Sequence, residues 1–241
     1  MSYLTFHLLF IVPPILLMVA TLPQSLYKVG GRRAQAAIPL IAAIAFTYTT
    51  PWDNYLVARE VWWYGPDRVL ATIGFVPVEE YAFFLVQPVL TGLFFFQYRM
   101  RTNGPAQTSS QGSAWGGFAV FAGLALLGAV LLARTDQTGL YMGLILAWAA
   151  PLLAGMWLYD GETLWAYRKS LAVTVAVPTV YLWGADATAI TNEVWTISNT
   201  MTMGINVLGL PLEEATFFLM TNLLVVKGML LLLYGDHDAL D

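Results

Sequence analysis

The sequence predicts an all-α protein, a polytopic membrane bundle of about seven helices built as two parallel three-helix repeats plus a linking helix. Three observations predict it. Of 241 residues 58% are apolar and only 11% charged, which is the composition of a membrane-embedded chain. The apolar residues come in runs of roughly 17–25, long enough to cross a hydrocarbon core. A series of chemically distinctive residues in the first half recurs in the second, the mark of an internal repeat.

The runs fall at 3–22, 34–50, 75–97, 114–133, 138–159, 170–184 and 208–234. No Lys or Arg precedes the first, and Pro13-Pro14 lie in its middle, so it reads as a kinked span and not as a secretory leader. The second and sixth are the shortest. Orientation follows Lys and Arg in short loops. Lys28, Arg32, Arg33, Arg99, Arg101, Arg168 and Lys169 fall on one side, and Arg59, Arg68 and Arg134 on the other. The expectation is a multi-pass cell-membrane protein with its N-terminus outside and its C-terminus in the cytoplasm.

The repeat is specific. Asp53, Glu60, Val61, Trp62, Pro77, Glu79, Glu80, Phe83 and Phe84 recur as Asp186, Glu193, Val194, Trp195, Pro211, Glu213, Glu214, Phe217 and Phe218. Runs 3–22 and 138–159 both contain proline and both lead into a basic loop. Each unit therefore reads as helix, helix, loop, helix. The expected division is 1–97 for the first repeat, 98–137 for a connector with one transmembrane helix, and 138–241 for the second repeat. The odd helix between them gives both repeats the same orientation, related by a pseudo-two-fold axis along the membrane normal. The polar stretch 107–113 is an ordinary connector. In repeat-built membrane proteins the site tends to lie where the repeats meet.

Four carboxylates, Glu79, Glu80, Glu213 and Glu214, open the two P-x-E-E helices. Proline at the first helical position with acids in the first turn is ordinary helix-start chemistry. At the edge of an apolar slab, however, ionisable groups are costly and usually functional. Helical spacing parts the two acids of each pair. Glu214, Phe218, Thr221 and Asn222 share one stripe, with Glu80, Phe84 and Gln87 as its counterpart, whereas the stripe of Glu213 is otherwise apolar. Glu80 and Glu214 are thus expected to face the shared interior, with Glu79 and Glu213 as their partners. The outer loops add Trp52, Trp62, Trp63, Tyr64 and Trp195. They read either as an interfacial aromatic belt or as a lining whose ring faces stabilise a transient positive charge. Asp53 and Asp186 read as loop acids or hydrogen-bond acceptors.

Several chemistries are excluded. The chain has no cysteine and two histidines, His7 and His237, at opposite ends, which leaves no thiolate or zinc centre. No G-x-G occurs, so a Rossmann flavin or nicotinamide fingerprint is absent, and no D-x3-D offers a magnesium site for a diphosphate. No basic patch exceeds two adjacent cations, which leaves nucleic-acid binding without support. The expectation is chemistry with no cofactor and no metal.

Pro51-Trp52-Asp53-Asn54-Tyr55, the P-x-E-E-Y-x-F-F of 77–84, and the L-P-L-E-E-x-x-F-F of 210–218 followed by Thr221-Asn222 resemble the small integral-membrane lycopene cyclases. That family occurs as two short subunits or as one fused chain, and this sequence looks like the fused form without a phytoene synthase domain. The resemblance implies cyclisation of lycopene ends to β-ionone rings, giving γ- and β-carotene, an isomerisation without net redox change. It implies lycopene and other apolar carotenoids as ligands, with membrane lipid and carotenoid-pathway enzymes as surroundings. Such chemistry needs a proton donor, an apolar pocket, cation stabilisation and a base, and carboxylates in distinct environments supply the first and last. Glu214, with Asn222 on its face, is assigned as donor and Glu80 as base or second donor, with Glu79 and Glu213 assisting. Trp52, Trp62, Trp63, Phe84, Trp195, Phe218, Asn222, Asp53 and Asp186 are assigned to the substrate.

Two other readings compete. A retinal-binding, rhodopsin-like protein would use Lys227 in the last helix, but Lys227 lies 13 residues beyond Glu214, about 20 Å along a helix, near an end where lysine snorkels. A proton-coupled transporter also uses repeats and intramembrane carboxylates, yet neither P-x-E-E helix has a central Gly/Pro interruption apart from Pro88.

Overall fold

The computed structural model describes residues 1–102 and 111–235, and the side chains of all of these except 111–113. His237 and most of the connector expected at 107–113 lie outside the described residues. Seven helices lie within them: α1 Tyr3–Ala20, α2 Leu26–Ala58, α3 Val78–Arg99, α4 Gln111–Leu132, α5 Leu140–Ala166, α6 Arg168–Thr191 and α7 Leu212–Tyr234. All but α2 are long and apolar enough to cross a membrane by length and composition. α2 holds the expected apolar run inside a 33-residue helix, whose polar ends dilute its hydropathy. Helices overrun the apolar runs in α5 and α6 as well, because backbone hydrogen bonding continues past the point where side chains turn polar.

Local sequence explains the departures from straight helix. In α1, Pro13 and Pro14 have no N–H to donate, and the turn before them widens to a π-turn over His7–Ile11, closed by the Val12 N–H on the His7 carbonyl. Gly30 and Gly31 break α2, with Gly31 at φ 59°, a conformation that glycine adopts without strain. α3 and α7 open one position later than expected, just after their prolines. Pro77 and Pro211 are extended N-cap residues, which puts Glu79 and Glu80, and likewise Glu213 and Glu214, in the first turn.

The two repeats, α1–α2–α3 and α5–α6–α7, run in the same sense with α4 between them. Three short β-pairs fold the loops at one end of the bundle. β2 (Thr72–Ile73) pairs with β3 (Val76–Pro77), and β5 (Asn206–Val207) with β6 (Leu210–Pro211), so each repeat has its own hairpin leading into the P-x-E-E helix. The third pair joins the repeats, β1 (Trp62–Tyr64) lying antiparallel to β4 (Trp195–Ile197). Its register is Trp62 with Ile197, Trp63 with Thr196 and Tyr64 with Trp195. Trp62 and Trp195 are equivalent by repeat, as are Tyr64 and Ile197, so the register is unchanged when the repeats exchange. The pseudo-two-fold axis therefore passes through the Trp63–Thr196 pair. Glu60 and Glu193, just before these strands, share the same left-handed backbone, φ 57° and 53°.

Below this cap α3 and α7 meet directly. Gln87 Nε2 donates to Asn222 Oδ1 at 2.8 Å, Thr91 Oγ1 donates to the same oxygen at 2.6 Å, and Asn222 Nδ2 donates to Thr179 Oγ1 at 3.0 Å. Between membrane helices such interhelical bonds fix register. The network divides the core. An outer cluster includes Trp62, Phe83, Phe84, Trp195 and Phe218, and an inner one includes Phe95, Trp157, Val226 and Leu230.

α4 lies outside this core and touches the bundle mainly through α5, where small residues let the backbones approach. A Cβ on Gly128 would lie 2.7 Å from the Ala147 amide nitrogen and 3.1 Å from the Gly143 carbonyl oxygen, so no side-chain movement makes room for one. Gly128→Leu must push α4 away from α5. Overpacking of this kind costs about 1–3 kcal/mol, and a fall of about 5 °C in the melting temperature of the detergent-solubilised protein is expected. An unchanged melting temperature would mean that α4 is not seated as described.

Candidate active site

Six elements converge under the β1–β4 pair on one small cavity of about 40 Å³. α2 brings Asp53, α3 Glu80 and Phe83, α6 Asp186, and α7 Glu214, Phe217 and Phe218. The walls are completed by Tyr3 and Phe6 of α1, Tyr141 of α5, and Trp62, Tyr64, Trp195 and Ile197 of the cap. Asp53, Asp186 and Glu214 are buried, and none of the four carboxyl groups pairs with Lys, Arg or His among the described residues.

The carboxyl groups take their hydrogen bonds from phenols and indoles. The Tyr3 hydroxyl donates to Glu80 Oε2 at 2.5 Å, and the Tyr64 hydroxyl donates to the same oxygen at 3.0 Å. The Tyr141 hydroxyl donates to Glu214 Oε1 at 2.8 Å. Tyr3 and Tyr141 hold equivalent places at the starts of the two repeats, so their bonds are one interaction made twice. Tyr64 has Ile197 as its counterpart and makes its bond once. Burial, and then the Glu80 and Asp53 charges beside it, hold the Tyr64 phenol well above the usual range, so it stays an O–H donor at neutral pH. Trp195 Nε1 donates to Asp186 Oδ1 at 2.9 Å, whereas Trp62 Nε1 donates to Tyr64. Asp53 Oδ2 and Asp186 Oδ2 are buried with no hydrogen-bond partner among the described residues.

The first acid of each pair turns elsewhere. Glu79 Oε1 accepts the Leu70 N–H at 2.8 Å and Glu213 Oε1 accepts the Met203 N–H at 2.7 Å, so each ties its repeat's loop to the P-x-E-E helix. Of the aromatic residues assigned to the substrate, Trp62, Trp195 and Phe218 line the cavity. Trp52 stacks on Phe217 at 5.8 Å and on Trp148 at 4.6 Å beside it. Phe84 lies one turn along α3, Trp63 points outward at 47% exposure, and Asn222 belongs to the buried α3–α7 network. Lys227 does not snorkel, contrary to the expectation. It is fully buried, with Nζ 3.7 Å from the centroid of the Phe121 ring and 5.2 Å from that of Trp157. The reason is that Phe121 of α4 and Trp157 of α5 cover it with cation–π contacts. Lys227 does not line the cavity described here.

Sequence reasoning missed Tyr3, Tyr141 and His7. His7 was considered only as a zinc ligand, but it is buried and packs on Tyr3 at 5.1 Å and Phe83 at 6.1 Å. The sequence carries a signal for the tyrosines, since each stands at the first turn of its repeat's first helix, whereas the runs 3–22 and 138–159 correspond there only by their prolines and the basic loops that follow.

The lycopene cyclase family model matches residues 1–98 and 138–232. The chain belongs to the lycopene cyclase family. The unmatched stretch between those segments contains α4, so the family's common part is the two repeats that build the cavity. A relative in Halobacterium salinarum named lycopene beta-cyclase is 41% identical over 95% of this chain and 95% of its own. A bifunctional lycopene cyclase/phytoene synthase of Arthroderma gypseum is 33% identical over 95% of this chain and 41% of its own length, and one of Neurospora crassa is 31% identical over 95% and 39%. No solved structure matches the chain.

The anchoring contacts are testable in this family member without an assay. A hydrogen bond to a carboxylate contributes about 1.5–3 kcal/mol, so Glu213→Ala is expected to speed amide exchange at Met203 roughly tenfold or more while leaving the Leu70 amide unchanged. Equal protection of Met203 in both proteins would remove Glu213 from the loop contact.

Proposed function

We propose that the protein is a lycopene beta-cyclase that closes the ends of lycopene to β-ionone rings by carboxyl acid–base chemistry, without a flavin or nicotinamide. The supporting observation is the convergence of four carboxyl groups, three of them buried, and a ring of aromatic side chains on one cavity at the meeting of the repeats. The family name and the Halobacterium relative support lycopene as substrate.

The chemistry uses these groups in order. A carboxylic acid gives its proton to C2 of the terminal C1=C2 double bond, and C1 becomes cationic. The C5=C6 double bond closes on it, forming the C1–C6 bond and moving the cation to C5. A carboxylate then takes the proton from C6, restoring C5=C6 inside the ring. One proton enters and one leaves, so no oxidant or reductant is consumed. Ring faces of Trp62, Trp195, Phe83 and Phe218 stabilise the cation, and exclusion of water keeps it from being trapped as an alcohol.

The two glutamates are not equivalent. Glu80 accepts two phenolic hydrogen bonds and Glu214 one. Donors aimed at an oxygen stabilise negative charge on it, which suits Glu80 to the base role and Glu214 to the donor role. Asp53 and Asp186, each with an oxygen that no donor among the described residues reaches, would lie against the reacting end of the polyene. We also propose the division into repeats 1–97 and 138–241, the outward N-terminus and cytoplasmic C-terminus, and entry of the substrate from membrane lipid.

Expression in a lycopene-accumulating bacterium tests this reading. Cyclised pigment is expected from the wild type, and the purified protein should cyclise detergent-dispersed lycopene with no added flavin. Glu80→Gln and Glu214→Gln keep shape and remove the titrating proton, so each should lose on the order of a hundredfold or more in rate while still inserting and purifying. Tyr64→Phe should lose less. Near wild-type rates in both glutamine variants would return these residues to plain helix-start duty.

A further inference from the structure

Two grooves run along the lipid-facing side of the bundle, and the repeat relates them. The first, about 150 Å³, lies between α2 and α5 and includes Ile44, Ala45, Tyr48, Trp148 and Leu152 in its walls. The second, about 160 Å³, lies between α1 and α6 and includes Pro14, Val177, Pro178 and Tyr181. Ile44, Ala45 and Tyr48 correspond to Val177, Pro178 and Tyr181 by repeat. Even a hydrogen bond is duplicated, the Tyr48 hydroxyl donating to the Trp148 carbonyl at 2.9 Å and the Tyr181 hydroxyl to the Phe10 carbonyl at 2.7 Å.

The grooves differ where they meet the interior. The α2/α5 groove shares Phe83 and Phe217 with the carboxyl cavity, so one pair of rings forms the wall between them. The α1/α6 groove shares no wall residue with that cavity. On that side Phe6 of the cavity wall packs on Phe10 at 5.5 Å, and α1 makes its π-turn there, a distortion absent from α5 at the same level. The cavity itself, at about 40 Å³, has room for little beyond a few water-sized groups, and a long polyene with its end there must extend elsewhere.

Resting on the cyclase reading above, we infer that the α2/α5 groove is the one lateral port of the site. It holds the linear remainder of an apolar polyene and delivers its end past Phe83 and Phe217 to the carboxyl groups, while the α1/α6 groove is a closed relic of the repeat. The occupant is argued from continuity and chemistry. The groove is lined almost wholly by apolar and aromatic side chains, opens to lipid at Ile44 with 54% exposure, and ends on the rings that wall the acids.

The chain has no cysteine, so a single thiol can be placed in either mouth and blocked in protein already folded. Ile44→Cys and Val177→Cys are purified, and each is compared with itself before and after reaction with pyrene maleimide. Cyclisation is assayed, and retention of lycopene is measured in the same variants carrying Glu214→Gln. Labelling at 44 is expected to lower both turnover and retained lycopene at least tenfold, and labelling at 177 to change neither by more than twofold. Equal effects of the two labels, no effect at 44, or loss only at 177 would overturn the port. If no protein cyclises lycopene but retention is still lost only on labelling at 44, the port stands and the cyclase reading falls. Cyclisation indifferent to the label at 44 leaves the cyclase reading and removes the port.

Discussion

A charged group inside a helical bundle that spans lipid is costly, and among the described residues no cation pairs with the four carboxyl groups of the cavity. The structure answers that constraint with aromatic donors. Tyr3, Tyr64 and Tyr141 reach Glu80 and Glu214, and Trp195 reaches Asp186. Each donor comes from a different helix or strand than the acid it serves. The need to bring them together dictates that α1 and α5 begin beside the P-x-E-E helices and that β1 pairs with β4 across the axis. Glu79 and Glu213 then hold the loops that carry this cap.

Duplication explains both the economy of the site and its asymmetry. Two copies of one unit, in parallel orientation, bring two acids and two aromatic walls to a common axis. Small departures between the copies then separate their roles. Ile197 in place of Tyr64 removes a donor from one side, Trp52 finds no aromatic counterpart at Ala185, and the prolines of α1 force a π-turn that α5 does not make. In the reading proposed above, these differences divide the acid and base roles between residues that are equivalent by repeat.

Much of the fold is legible because membrane helices announce themselves by run length, and the D…E-V-W…P-x-E-E series marks the two halves of the chain as alike in sequence. The inward stripe of Glu80 and Glu214 followed from the helical period, which parts neighbouring acids and sends Glu79 and Glu213 to the loops. What stayed hidden depends on contacts between distant segments. Tyr3 and Tyr141 lie near the starts of apolar runs, where a tyrosine passes for an interfacial anchor. The β1–β4 pair joins strands only three residues long, too short for alternation to register. Lys227 is covered by a linking helix whose docking face is made of glycines and rings, a pattern that composition alone does not distinguish from a lipid-facing helix.

The central claim is that an exchangeable carboxyl proton starts ring closure. The most direct measurement is cyclisation of lycopene by purified protein equilibrated in D2O, with the ring-bearing product examined by mass spectrometry and NMR. The account predicts one deuterium per ring, bound at C2 beside the carbon that carries the paired methyl groups. Rings formed at normal rate with no deuterium would contradict it, because the hydrogen at C2 would then have come from something other than an acid of the protein.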